Sequence, residues 1–107
     1  MRDWTVLHRP EIVCICGSAR FAREMRDANR DLTISGIIVV APGEAGDAAG
    51  CISSEQKTML DVLHLHKIDL ADRVLVVNPG GYIGESTGKE IAHARAKGKP
   101  VSFTDPV

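Results

Sequence analysis

The stretch that most constrains this chain is Val74-Leu75-Val76-Val77, followed by Asn78-Pro79-Gly80-Gly81-Tyr82-Ile83-Gly84 and then Glu85-Ser86-Thr87-Gly88-Lys89-Glu90-Ile91. A continuous valine-rich run suits a strand covered on both faces, and Gly80, Gly81 and Gly84 let the following backbone turn sharply and approach a ligand closely. Ser86 or Thr87 is the expected N-cap of the next helix, whose first free N–H groups would then point into the space above the strand, where an anion could sit. Glu90 follows within the first turn and has two readings. Thr87-x-x-Glu90 is a capping-box pattern, in which the glutamate serves only the helix end. A carboxylate beside a glycine turn and free helix N–H groups is also a place for chemistry on a phosphorylated or sugar-bearing ligand.

The rest of the chain repeats the pattern of strand, turn and helix. Ile12-Val13-Cys14-Ile15-Cys16 is a first strand, broken by Gly17-Ser18 before a helical pattern with Phe21, Met25, Ala28 and Leu32 on one face. Gly36 ends that helix, and residues 37–41 form a second apolar strand. Residues 42–53 read as a mobile loop, after which Ser53-x-x-Gln56 opens a helix to about Leu70 with Met59, Leu63 and Leu70 among its apolar positions. A helix from about Thr87 to Lys97 carries Ile91 and Ala94 inward and closes at Gly98, and Pro100-Val101-Ser102-Phe103 is a short last strand. Residues 1–11 read as an edge strand or an arm that packs on a neighbouring subunit. Strands alternating with helices imply a parallel sheet with helices on both faces and right-handed crossovers.

With 107 residues the chain is expected to form a single domain. A net charge of −1, with both signs mixed along the chain, offers no basic stripe for nucleic acid. No apolar run approaches a membrane span, and Met1-Arg2-Asp3-Trp4 lacks the apolar segment of a signal peptide, so a cytoplasmic location is expected. The cysteines are odd in number, and Cys14 and Cys16 read as small buried hydrophobes.

In a sheet ordered 2-1-3-4, a crevice opens at the carboxyl ends of the first and third strands, where the connections leave in opposite directions. The turns that meet there are Cys16-Gly17-Ser18-Ala19-Arg20 and the segment from Asn78 to Glu90. Backbone N–H groups, Ser18, Arg20, Ser86 and Thr87 are the candidates for phosphate or sugar hydroxyls, and Tyr82 is a candidate to stack on a base or ribose. Gly-x-Gly-x-x-Gly is absent after the first strand, and Gly88-Lys89 is followed by Glu90 where a P-loop has Ser or Thr, which disfavours a dinucleotide fold and ATP hydrolysis. His64 and His66 stand about 200° apart on a helix, do not aim at one metal, and read as a surface or semi-buried pair.

Three short segments carry a resemblance: Cys16-Gly17-Ser18-Ala19-Arg20, Ile68-x-x-Ala71-Asp72, and Gly84-x-Ser86-x-x-x-Glu90-Ile91-x-x-Ala94. In this order the chain resembles the nucleoside 2-deoxyribosyltransferase-like group, which includes small deoxynucleotide N-hydrolases. Pro79-Gly80-Gly81 with Ser86-Thr87-x-x-Glu90 also looks like a stretched form of the signature of cytokinin-activating phosphoribohydrolases, three residues longer and with serine in place of a glycine. Both groups break an N-glycosidic bond. The resemblance implies that Glu90 is the nucleophile that attacks C1′, with an acidic residue on the preceding helix protonating the leaving base. His64 stands where that aspartate is expected, with Asp61 one turn earlier, and a histidine can act as a general acid near neutral pH.

The expectation is therefore a small flavodoxin-like or Rossmann-like three-layer α/β domain with a four-stranded parallel sheet of order 2-1-3-4. It cleaves or transfers the N-glycosidic bond of a nucleoside or nucleoside 5′-monophosphate through Glu90, with Asp61 and His64 as acid candidates. Gly17, Ser18, Arg20, Gly81, Tyr82, Gly84, Ser86 and Thr87 are the expected substrate-binding residues, with no cofactor and no metal. A homodimer or higher homo-oligomer is expected, with neither nucleic acid nor membrane as partner. The alternatives are a nucleotide sensor that binds without cleaving and a protein-interaction module.

Overall fold

The computed structural model describes residues 9–43 and 52–107. Strand β1 (Ile12–Gly17) runs through the middle of the molecule, and Val13, Cys14, Ile15 and Cys16 are all excluded from solvent. A 3₁₀ turn at Ala19–Phe21 follows, where the Ser18 hydroxyl accepts from the backbone N–H of Arg20 at 3.3 Å. Helix α1 (Ala22–Ile34) buries Met25, with Phe21, Ala28 and Leu32 packed along the same side, as the helical spacing anticipates. Gly36, with φ of 84°, reverses the chain into β2 (Ile38–Val40), a shorter strand than the apolar run predicts.

Helix α2 (Ser54–Leu70) begins with the anticipated capping box: the Ser53 hydroxyl accepts from Gln56 N–H at 3.0 Å and the Gln56 side chain accepts from Ser53 N–H at 2.9 Å. Strand β3 (Arg73–Val77), a 3₁₀ turn at Pro79–Gly81, helix α3 (Glu85–Ala96) and strand β4 (Val101–Phe103) complete the order. The four strands form one parallel sheet of order β2-β1-β3-β4, with Ile12 opposite Ile38, Cys14 opposite Val74, and Val76 opposite Phe103. Helix α1 covers the face that holds Ile15 and Val77, whereas Ile68 of α2 and Ile91 and Ala94 of α3 cover the face with Cys14, Cys16, Val74 and Val76. This is the small Rossmann-like α/β arrangement that the alternation of strand and helix implies.

Two expectations are corrected. Met59, Leu63 and Leu70 do not face the sheet; they are 64%, 48% and 69% exposed. The inward line of α2 is His64 and Ile68, one turn apart, and at about 100° per residue the other three lie 100–140° around the helix from one or other of them. His64 is accordingly buried and not half of a surface pair, while His66 points outward beside Asp69.

The second correction concerns the start of α3. Its N-cap is Gly84, without any side-chain cap, and the first helical bond runs from Gly88 N–H to the Gly84 carbonyl at 2.9 Å. Neither Ser86 nor Thr87 caps the helix. Thr87 lies inside the first turn and is buried, so the Thr87–Glu90 capping box does not form. Residues 44–51 of the expected loop and residues 1–8 of the expected strand or arm lie outside the described residues. No helix among the described residues is long and apolar enough to cross a membrane.

Candidate active site

The carboxyl ends of β1 and β3 lie side by side, with Gly17 opposite Val77. A Cβ on Gly17 would sit 2.9 Å from the Val77 carbonyl oxygen and 3.0 Å from Met25 Sδ, so glycine lets strand and helix close here. The two turns leaving these strands touch. The Arg20 guanidinium lies 4.0 Å from the centroid of the Tyr82 ring, and Phe21 meets the same ring edge-on with centroids 5.9 Å apart. Tyr82 is still 42% exposed, and Arg20 and Ser86 are exposed.

The glycine turn is fixed from below by a residue that sequence reasoning passed over. Asn78 is fully buried; its side-chain oxygen accepts from Asp105 N–H at 2.9 Å and from the Thr104 hydroxyl at 3.2 Å, and its amide donates to the Asp105 carbonyl at 3.1 Å. The Asp105 carboxylate in turn accepts from Gly80 N–H at 2.8 Å. The tail after β4 thus clasps the turn after β3, where Gly80 and Gly81 hold φ of 69° and 84°. The signal available was an apolar strand ending in a single asparagine, whose amide can satisfy a buried turn locally.

Beyond this turn, α3 carries Glu90 toward α2 instead of back to its own N-terminus. Its carboxylate oxygen lies 3.8 Å from His64 Nε2, with 15% of the Glu90 side chain and 7% of the His64 side chain exposed. Two thiols of β1 address the same nitrogen: Cys16 Sγ at 3.3 Å and Cys14 Sγ at 3.8 Å. Successive side chains of a strand alternate between faces, so Cys14 and Cys16 share the face that α2 crosses at His64. His64 Nδ1 is buried and has no hydrogen-bond partner among the described residues. Asp61, one turn before His64, is exposed and pairs with Lys57 at 3.7 Å.

These groups shift one another. Burial raises Glu90 above the usual carboxylate range, and the neighbouring His64 works against that rise. Burial opposes charge on His64, but its contact with Cys14 and the charge of Glu90 outweigh this and raise it. The Cys16 thiol, hydrogen-bonded to Cys14, lowers Cys14 to about 6, and the same contact together with burial pushes Cys16 up. The two thiols therefore titrate as a pair and not as independent groups.

Of the residues singled out in the sequence, Glu90 and His64 come together, and Asp61 is close enough for its charge to raise Glu90. Arg20 and Tyr82 come together as well. Gly17 has a packing role and Ser18 an N-cap role. Gly84 caps α3, with the Tyr82 hydroxyl 3.5 Å and its nearest ring carbon 3.6 Å from where a Cβ would be. Cys14 and Cys16, read as small buried hydrophobes, are buried in the core and also touch His64 Nε2.

No protein-family model matches the chain, and neither does any curated protein sequence. Among solved structures, the chain is similar to a 2-deoxyribosyltransferase from the psychrotolerant bacterium Bacillus psychrosaccharolyticus, with a TM-score of 0.63 and 19% identity over 90% of this chain and 76% of that one. It is also similar to a conserved protein from Enterococcus faecalis, with a TM-score of 0.66 and 18% identity over 89% of this chain and 63% of that one. The chain shares their fold.

Proposed function

We propose that this chain is a nucleoside 2-deoxyribosyltransferase-like enzyme that cleaves or transfers the N-glycosidic bond of a nucleoside or nucleoside 5′-monophosphate, with Glu90 as nucleophile. The observation that carries the reading is the position of Glu90: it makes no cap at the start of α3, and its carboxylate lies largely buried 3.8 Å from His64 Nε2. The shared fold with a 2-deoxyribosyltransferase supports it.

In this mechanism the ionised Glu90 attacks C1′, the bond to the base breaks, and its electron pair leaves with the base as a proton arrives on it. Water or a second base then displaces Glu90 from the glycosyl-enzyme. A nucleophile must be ionised; burial works against this in Glu90, and the charge on His64 offsets part of that rise. His64 is buried with Nε2 already engaged, so the exposed Asp61, one turn away on α2, is the better placed acid for the leaving base. Arg20, Tyr82 and the free N–H groups at the start of α3 bind the base, the sugar and the 5′-phosphate. The exposed apolar side chains Met59, Leu60, Val62 and Leu63 on α2 support a homodimer or larger homo-oligomer.

A second reading, a nucleotide sensor that binds without cleaving, is favoured by His64 itself, which replaces the expected aspartate and is turned into a thiol cluster. Incubation with a panel of nucleosides and 5′-monophosphates, read by chromatography and by melting temperature, separates the two. Free base and sugar identify the enzyme. Thermal stabilisation without product identifies the sensor.

A further inference from the structure

The face of the sheet under α2 holds three ligating atoms among apolar side chains, with the Glu90 carboxylate beside them. Cys14 Sγ, Cys16 Sγ and His64 Nε2 all lie within 4.8 Å of one another, enclosed by Ile68, Val74, Val76 and Ile91. We propose that Cys14, Cys16 and His64 bind a zinc-class divalent ion through two thiolates and the imidazole Nε2, beside Glu90. This assignment does not depend on the glycosidase reading.

The donor set selects the ion. Two thiolates and an imidazole suit a borderline-soft metal such as zinc and disfavour magnesium or calcium, which seek oxygen. The spacing also fits. Zinc–sulfur and zinc–nitrogen bonds of about 2.3 Å and 2.0 Å at a tetrahedral angle place sulfur and nitrogen about 3.5 Å apart, and the two distances here are 3.3 Å and 3.8 Å. The ligands are already positioned: both cysteines sit on the central strand, paired on either side by β2 and β3, and His64 lies in the body of a 17-residue helix. Little reorganisation separates the three side chains from a coordination shell.

Charge balance argues the same way. A dication offsets the charge of two thiolates, which a buried site tolerates better than a lone thiolate, and the Glu90 carboxylate 3.8 Å from Nε2 adds a further negative neighbour. Each ion bound displaces to solvent the protons that the two thiols and the imidazole Nε2 still carry, and the fourth position goes to water or an anion. Among the described residues His64 Nδ1 has no hydrogen-bond acceptor, an outer shell short by one contact, so affinity is expected to be about 10–100-fold below that of a site with such a contact.

The test uses the whole chain, reduced and stripped with a chelator, titrated with cobalt(II) and then with zinc(II). The expected result is one cobalt per chain with a thiolate-to-cobalt charge-transfer absorption, displacement of that absorption by one equivalent of zinc, release of protons on binding, and a raised melting temperature. Cys14→Ser and His64→Gln, each verified as folded by circular dichroism, should weaken binding by about 100-fold or more, beyond the effect of losing an outer-shell partner. Cys51→Ser, which changes the third cysteine, one outside the described residues and not among the proposed ligands, should leave stoichiometry and absorption unchanged. No charge-transfer absorption in the unmodified chain overturns the proposal without reference to any variant. So does absorption that survives Cys14→Ser, or that disappears with Cys51→Ser.

Discussion

Glu90 on α3 and His64 on α2 meet with 3.8 Å between carboxylate oxygen and Nε2, largely out of water. The contact sits where two helices on one face of the sheet converge over the carboxyl half of β1. It turns a glutamate that could have served its own helix end toward α2, beside an imidazole whose charge offsets part of the rise that burial imposes on the carboxyl.

The exposed acid candidate on the same helix gives the first prediction. If Asp61 protonates the departing base, Asp61→Asn should slow natural nucleosides by about 10²–10⁴-fold and spare an activated nitrophenyl glycoside, whose leaving group needs no proton. Rates on the two substrate types, measured on one preparation, check this. An equal loss on both would show that Asp61 has another role.

Helix α3 starts at Gly84 without a capping side chain, leaving its first N–H groups and the exposed Ser86 hydroxyl open to an anion. Ser86→Ala should weaken a 5′-monophosphate by about 1–2 kcal/mol and the parent nucleoside hardly at all, the value of one hydrogen bond to a charged group. Calorimetric titration of both ligands tests it. Equal weakening would place the phosphate elsewhere.

Gly17 gives a prediction on stability. A methyl group there would meet Val77 O at 2.9 Å and Met25 Sδ at 3.0 Å, and although the methionine can move, the carbonyl belongs to the paired strand. Gly17→Ala should destabilise the fold by about 1–3 kcal/mol through overpacking, read as a lower denaturant midpoint. An unchanged midpoint would show that the β1–β3 contact has slack.

The fourth prediction concerns acid. Asp72 accepts from both guanidinium nitrogens of Arg9, at 2.9 and 3.0 Å, and from Ile12 N–H at 2.8 Å, which together hold its carboxyl down to about 2. A carboxyl depressed on folding stabilises the native state above its unfolded value of about 3.9, and that contribution is lost as pH falls toward 2. Arg9→Ala should therefore be less stable than the parent at neutral pH and converge with it between about pH 4 and 2. A stability difference independent of pH in urea unfolding series would contradict this linkage.

The frame was legible because it depends on periodicity. Ile12–Cys16 and Val74–Val77 are strand-length apolar runs, Ser53 and Gln56 announce a helix start, and Gly36 and Gly98 stop helices at positive φ. The sheet order followed from the same alternation. What escaped depends on angles around α2: Met59, Leu63 and Leu70 look as apolar as Ile68, and only the crossing of the helix over β1 determines that His64 points inward and those three point out. The contact of the thiols with His64 escaped for the same reason, since only the path of α2 brings an imidazole over Cys14 and Cys16. The start of α3 was misplaced because Ser86 and Thr87 are good capping residues, whereas the helix begins at Gly84, beside Tyr82.

The central claim rests on Glu90, and Glu90→Gln keeps its shape while removing its ability to attack C1′. Base release should be measured for parent and variant with the substrate identified by the panel, at enzyme in excess over substrate, alongside melting temperature and ligand affinity. The account predicts a folded variant that binds ligand and releases base slower by about 10³-fold or more, the loss of a covalent step with no other carboxylate on that turn of α3 to replace it. Base release within a few-fold of the parent would contradict it.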